Sequence, residues 1–495
     1  MKNVFFVLLC CLLLCSFGNA ILYSQNYGDA NEDGSINIID ALITAQHYVG
    51  LNPDPFNNAN ADVDGQNGIN IIDALLIAQY YVGLITQFPA QSEDIEIIKS
   101  IAEWNENPVL ETGELEELVY GNTSFALDFY HAISDSDDNL IFSPYSISVA
   151  FAMCYAGAKN ATEVEIEDIL SFTLGQSNLH NAFNALDIEL KKPGNPPSGS
   201  TGDQFTLRIT NSTWGQKDYP FLQDYLDVLA INYAAGLYTL NFAENPDGSR
   251  IIINNWVSDQ TEQKINDLLP PGSIDALTRF VLTNAIYFKA SWADKFNPAN
   301  TVPETFTLLD GSTKTVQMMK KTDTLLAEEV TGEYKIASLS YYGGKASMVI
   351  ILPESGRFKT IESSLTPDTL TNMISSIIPK TLSLSMPKFN FGWGDSIKAV
   401  LVSLGMMNSF SIEADFTGIT TYERLMIGDV FHKAMISVDE RGTEAAAATA
   451  IVMPPTGPEP PPPMTMELSR PFIFVIRENT TGTILFAGRV MDTGE

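Results

Sequence analysis

Oxygen-bearing side chains recur at alternate positions in two short runs near the N-terminus, and that spacing suits a hard divalent cation. In the first run Asp29, Asn31, Asp33, Asn37 and Asp40 stand at positions 1, 3, 5, 9 and 12 of a calcium loop. Gly34 falls at position 6, where such a loop turns sharply, and Ser35 offers its carbonyl at position 7. Calcium takes six to eight oxygens, and alternate residues of a tight loop point inward to supply them. The second run offers Asp62, Asp64, Gln66, the Gly68 carbonyl, Asn70 and Asp73. Gln66 replaces an acid, and Asn67 stands where glycine is usual. Asparagine tolerates a left-handed backbone, so the turn survives. Two calcium ions are expected, the second held more weakly for want of one charge.

A mechanical rather than catalytic capacity lies in Glu440-Arg441-Gly442-Thr443-Glu444-Ala445-Ala446-Ala447-Ala448-Thr449. It follows Phe431–Asp439, which alternates like a strand, and no proline interrupts it before Pro454. Small side chains have almost no entropy to lose on ordering and no bulk to block passage into a gap. Such a segment could wait as an exposed loop and later slide into a sheet. As a strand from Thr443 to about Pro455 it turns Thr443, Ala445, Ala447, Thr449, Ile451 and Met453 to one face. Glu444, Ala446, Ala448, Ala450 and Val452 take the other. The first set contains no charge and no proline.

The elements that must position these residues belong to a chain of 495 residues, long enough for two or three domains with one large core. A formal charge of −32, with no Lys/Arg cluster longer than two residues, argues against nucleic acid or an anionic membrane surface as partner. Residues 1–20 read as a secretory signal peptide cut after Ala20, which predicts an extracellular protein without a membrane span. A lipoprotein reading through Cys15 meets Leu14 where a small residue is expected. Cys10, Cys11 and Cys15 leave with the leader, so Cys154 has no intrachain partner. Residues 36–42 return as 69–75, so 21–88 is a duplicated acidic-loop and amphipathic-helix unit. An acidic linker is expected over 89–115, and a single large α+β domain over 116–495. His47, His131, His180 and His432 are the four histidines, and neither a G-x-S-x-G elbow nor an H-E-x-x-H motif occurs, so no enzyme is expected. Sequons stand at Asn122, Asn160, Asn211 and Asn479.

With aspartate at position 12 and no helix expected before either loop, the paired loops resemble a type I dockerin rather than an EF-hand. That resemblance implies calcium-dependent docking onto the cohesin domain of a scaffold, for instance a cellulosome-like, polysaccharide-degrading assembly. Residues at loop positions 10 and 11, Ile38, Ile39, Ile71 and Ile72, would touch the cohesin; packing the small core is the other role open to them.

Five separated segments resemble serpins, the serine protease inhibitor family. They are Asn139–Ile147, Leu282–Trp292, Phe431–Ala434, Arg470–Phe474 and Leu485–Val490. The resemblance implies a serpin fold, α+β, with a large central mixed β-sheet and surrounding helices. The small all-α dockerin would precede it. It also implies a shutter of Ser143, Ser146, Asn284 and His432 under that sheet, with Trp292 at the breach. Residues 440–468 would be the reactive-centre loop, with Gly442–Thr449 its hinge. Counting as the family does puts the scissile bond between Thr456 and Gly457, a small reactive residue that suits elastase-like or subtilisin-like serine proteases. The cut loop would insert into the sheet and carry the acyl-enzyme with it; no cofactor is needed, and the domain is expected to be a monomer. The run Pro458–Pro463 lengthens the return beyond the family's pattern and loosens that count by a residue or two. Two rival readings are a non-inhibitory binding serpin and a cross-class inhibitor of cysteine proteases.

Overall fold

The computed structural model describes residues 27–64, 68–85, 88, 95–195, 206–443 and 462–494. The chain divides into two compact units, Met1–Glu93 and Asp94–Glu495.

The first unit is built from α1 (Ile38–Tyr48), α2 (Asn58–Ala61) and α3 (Ile71–Tyr81). Each long helix opens on a capping box. Asn37 and Asn70 are the caps, and Asp40 and Asp73 return a carboxylate to the cap N–H. One aspartate therefore serves as twelfth loop position and helix start together. Ala41, Val63, Ile77 and Phe88 form the buried core. The one-turn α2 ends just before the second loop, which departs from the expectation that no helix precedes it.

The second unit has sixteen strands among its described residues. They are β1 (Glu96–Ile98), β2 (Leu140–Phe142), β3 (Thr206–Gln216), β4 (Leu237–Leu240), β5 (Phe280–Ser291), β6 (Val302–Thr307), β7 (Thr313–Val330) and β8 (Tyr334–Ser340). Then follow β9 (Ala346–Pro353), β10 (Ile378–Pro387), β11 (Phe389–Ser396), β12 (Val430–Val438), β13 (Gly442–Thr443), β14 (Met464–Glu467), β15 (Phe472–Glu478) and β16 (Ile484–Val490). The central sheet runs β1-β4-β3-β5-β13-β12-β11, parallel at β3/β4 and β5/β12 and otherwise antiparallel. The second sheet runs β14-β10-β7-β8-β9-β15-β16-β2, with β6 beside β7.

Helices α4 (Glu114–Ile133), α5 (Pro144–Tyr155), α6 (Asn160–Leu170), α7 (Gln176–Lys191) and α8 (Gln223–Tyr233) belong to the same unit. Apart from Val149, every residue of α5 is buried. A helix buried on nearly every side, with few polar side chains, sits inside a large core. Ser143 caps it through the Ser146 N–H and Pro144 opens it, which fixes where the helix begins. Phe129, Phe142, Phe151, Leu282, Phe389 and Phe474 join α4, α5 and both sheets in one core. Cys154 is buried and free, its thiol pushed up by burial.

Over its described residues, 95–115, the structure corrects the linker expected over 89–115. Glu96–Ile98 extends the central sheet by pairing with β4. Beyond it the Trp104 indole donates to Asn184 Oδ1 at 2.8 Å, and the Asn105 N–H donates to the Ile231 carbonyl at 2.9 Å. Helix α4 begins at Glu114, two residues before the expected domain start. Acidic composition hid these contacts, because a three-residue edge strand held by backbone bonds needs no apolar alternation.

Candidate functional site

The segment expected to insert starts at one end of the central sheet. Val438 ends β12, Asp439–Arg441 make the turn, and β13 comes back down between β12 and β5. Thr443 registers on Val438 and Ala290, and Gly442 on Ser291. A β-carbon on Gly442 would lie 2.2 Å from the Ala290 carbonyl oxygen, and its φ is 151°, so only glycine fits this approach. Below the wedge, β5 and β12 pair directly from Leu282–Val430 to Ile286–Ala434. The sheet is thus parted at one end by two residues and joined further down.

The breach side chains converge on that wedge. Trp292 is buried and stacks on Tyr341 with centroids 4.7 Å apart at 9°. The Trp292 backbone N–H donates to the Arg441 carbonyl at 2.8 Å, and its indole to the Asp439 carbonyl at 3.1 Å. Glu440 accepts from Thr301 Oγ1 at 2.8 Å and pairs with Lys388 at 2.8 Å. Burial alone would raise the Glu440 carboxyl, but these two partners together hold it below its ordinary range.

Under the joined part of the sheet lies a polar cluster. His432 Nδ1 faces Asn284 Oδ1, and His432 Nε2 accepts the Ser143 N–H at 3.1 Å. Asn284 Nδ2 donates to Ser146 Oγ and to Asn211 Oδ1, both at 2.7 Å. Ser146 Oγ donates to Asn211 Oδ1 at 3.0 Å, while Asn211 Nδ2 donates to the Ser146 carbonyl at 3.1 Å. A network this closed is satisfied only by the neutral imidazole with its proton on Nδ1. Burial lowers the His432 pKa to about 3. The set ties α5, β3, β5 and β12 at one point. Ser143, Ser146, Asn284 and His432 are brought together; Asn211 is the member missed from sequence, where it registered only as a sequon. That sequon is engaged inside, as is buried Asn122, whereas Asn160 and Asn479 are exposed. Tyr341, Lys388 and Thr301 were also missed, since nothing in their local sequence marks them. Glu444–Thr449, Thr456 and Gly457 lie outside the described residues.

In the first unit the loops fold on themselves. Asp29 Oδ1 accepts the Asp33 N–H at 3.1 Å and Asp29 Oδ2 the Gly34 N–H at 3.0 Å. Asp40 Oδ1 accepts the Asn31 N–H at 3.2 Å. Asp33 and Asn37 accept from Ser35 N–H and Ile39 N–H. In the second loop the carboxylate oxygens of Asp62, Asp64 and Asp73 lie within 4.8 Å of one another, and Asn70 Nδ2 donates to Asp64 and to the Gly68 carbonyl at 3.3 Å. Three carboxylates converging so closely repel unless a divalent cation lies among them, so the donor set fits calcium. Gln66 lies outside the described residues. Ile38, Ile39, Ile71 and Ile72 are about half exposed (52, 53, 49 and 49%), which leaves them no core role. Leu42 and Leu75 extend each pair one helical turn on, at 56 and 53%.

In this mixed sheet Gly442–Thr443 part the upper ends of β5 and β12, and a buried polar cluster ties the same strands below. Residues 120–493 match the family profile described as serpin (serine protease inhibitor), and the chain belongs to the serpin family. Residues 27–81 match the type I dockerin domain, so its particular form is a serpin that follows a dockerin. An uncharacterized serpin-like protein of Thermococcus kodakarensis is 35% identical over 385 residues, covering 78% of this chain and 88% of that one. Leukocyte elastase inhibitor A of Rattus norvegicus is 35% identical over 387 residues, covering 76% of this chain and 99% of that one. The native structure of the thermophilic serpin tengpin superposes with a TM-score of 0.69 at 27% identity, covering 81% of this chain and all of that one.

Proposed function

We propose that the protein is a secreted suicide-substrate inhibitor of subtilisin-like or elastase-like serine endopeptidases, not an enzyme. A protease attacks the loop near Thr456-Gly457 and forms an acyl-enzyme. The freed segment then inserts between β5 and β12, carrying the protease with it. Thirteen to fifteen residues at roughly 3.3 Å each span about 45–50 Å, enough to reach the far pole of the sheet. Distortion of the catalytic geometry by even an ångström slows deacylation steeply.

The observation that carries this reading is the wedge: β13 already stands between strands that pair directly lower down. Its register supports the rest. Continued downward one residue at a time, it brings Thr449 to the row of Asn284 and His432. A threonine hydroxyl there can answer the donor and acceptor that lose each other when the strands part. The small, uncharged inward set Thr443, Ala445, Ala447, Thr449 is what insertion requires, and the kinship with an elastase inhibitor agrees with a small reactive residue.

The dockerin reading adds an address. Two calcium ions, the second weaker, would order loops Asp29–Asp40 and Asp62–Asp73, and the Ile38-Ile39 and Ile71-Ile72 pairs would meet a cohesin in two near-equivalent orientations. The protein would then sit on an extracellular polysaccharide-degrading scaffold and shield it from proteolysis. Residues 1–20 would be the signal peptide, and the serpin unit a monomer.

Mixing the protein with subtilisin or elastase and resolving the products on a denaturing gel tests the central claim. An SDS-stable band at the summed mass is expected. Complete cleavage of the loop without a covalent band, for every serine protease tried, would reject inhibition and leave the non-inhibitory binding reading.

A further inference from the structure

Thr443 is only 2% exposed, and its hydroxyl meets the Tyr341 hydroxyl at 3.1 Å in the buried breach. Tyr341 is itself fully buried, held flat against Trp292 and edge-on to Phe288, whose centroid lies 5.0 Å away. The Tyr341 N–H donates to the Ala346 carbonyl, and Trp292 and Tyr341 form a bridge between the end of β5 and the turn after β8. The ring therefore has one place to be, and its oxygen marks one spot for a partner. Gly442 lets the backbone approach Ala290 closely enough for the next side chain to reach that spot. Asp439 completes the seat from the other side, accepting from the N–H groups of Arg441 at 2.8 Å and Gly442 at 3.3 Å.

We propose that Tyr341 is a positioning residue that latches Thr443 in the breach, so that the segment starts from an already seated first row and in a single register. This rests on the inhibitory reading, since the latch matters there by shortening the race between insertion and release of the cut loop. A hinge seated at row one must still displace the direct β5/β12 pairing, but it need not find its alignment. A hinge without the latch starts from a broader set of positions and loses more often to hydrolysis.

Tyr341→Phe keeps the ring and its stack on Trp292 while removing the hydroxyl; Thr443→Val removes the other partner. Either change leaves one buried hydroxyl unpaired, which predicts roughly a threefold to tenfold rise in the ratio of cleaved inhibitor to trapped protease. The double variant should be no worse than either single one, because both partners are then replaced. Thr443→Ser should restore the wild-type ratio. Hydrogen exchange across residues 436–443 of the uncleaved protein reads the latch without any protease and should speed up in both single variants. Unchanged exchange, or an unchanged trapping ratio in both single variants, overturns the latch. A wild-type protein that forms no covalent complex would instead reject inhibition, and the exchange measurement would still decide the latch.

Discussion

His432 accepts one proton-bearing group and presents another, and its neighbours leave no room for a second ring proton. Protonation would turn Nε2 into a donor facing the Ser143 N–H. The folded pKa of about 3 lies below the unfolded value near 6.5, so the folded state binds fewer protons between them. Its stabilising share is complete above pH 6.5 and is lost as pH falls through that window, at up to about 1.4 kcal/mol per unit. His180, lowered to about 4 by burial, acts in the same sense. Thermal unfolding of the uncleaved protein from pH 7 to pH 4 should therefore show a falling melting temperature. His432→Gln should flatten that slope by about one proton, while His180 and, toward pH 4, carboxylates such as Glu440 and Glu478 that are held low in the folded state keep contributing. Equal slopes in the two proteins would mean that the shutter histidine is not held neutral.

At the scale of elements, legibility followed local repetition. The duplicated loops and their helices show in the sequence because the ligand spacing and the run 36–42, which returns as 69–75, recur within one short span. The buried helix α5 shows in its apolar run Val149–Cys154. Asn211 and Tyr341 do not, because their roles come from strands far apart in the chain, and no local pattern distinguishes a shutter asparagine from a sequon. Exposure of Ile38-Ile39 and Ile71-Ile72 was equally hidden: a duplicated apolar pair reads alike whether it fills a core or awaits a partner. The first unit makes the sharpest forecast here. Among the described residues its core cluster is Ala41, Val63, Ile77 and Phe88 with partly buried neighbours, too small to hold two eleven-residue helices unaided. Carboxylates gathered in each loop add repulsion that calcium removes. Chelation should cost the circular-dichroism signal of those two helices and abolish cohesin binding, while the second unit melts unchanged. Full helicity and full binding in excess chelator would refute calcium-coupled folding.

Across the whole second unit, the central sheet takes Gly442 and Thr443 between β5 and β12 at its upper end and pairs those two strands directly lower down. The fold was readable because five short segments, far apart in the chain, resemble one family in the right order; the state of the sheet was not, since β5/β12 pairing is a property of the assembled strands. That state has a thermodynamic consequence. Insertion would replace the direct contact of Leu282–Ile286 with Val430–Ala434 by two ladders, one on each side of a new strand. About a dozen added ladder bonds, each worth on the order of 1 kcal/mol net, and the burial of an alanine row amount to roughly 10 kcal/mol or more. Against this stands the ordering of the loop, small for alanine side chains but still a backbone cost at each residue. Cutting the chain once between residues 444 and 461 with a protease that is not trapped frees the segment to insert. The cleaved protein should then melt at least about 10 °C higher than the intact one. A nick there normally loosens a folded protein, so the sign of the change is the test. A melting temperature that falls or stays level after quantitative cleavage would show that the intact sheet was already in its most stable arrangement, and the inhibitory mechanism would have no driving force.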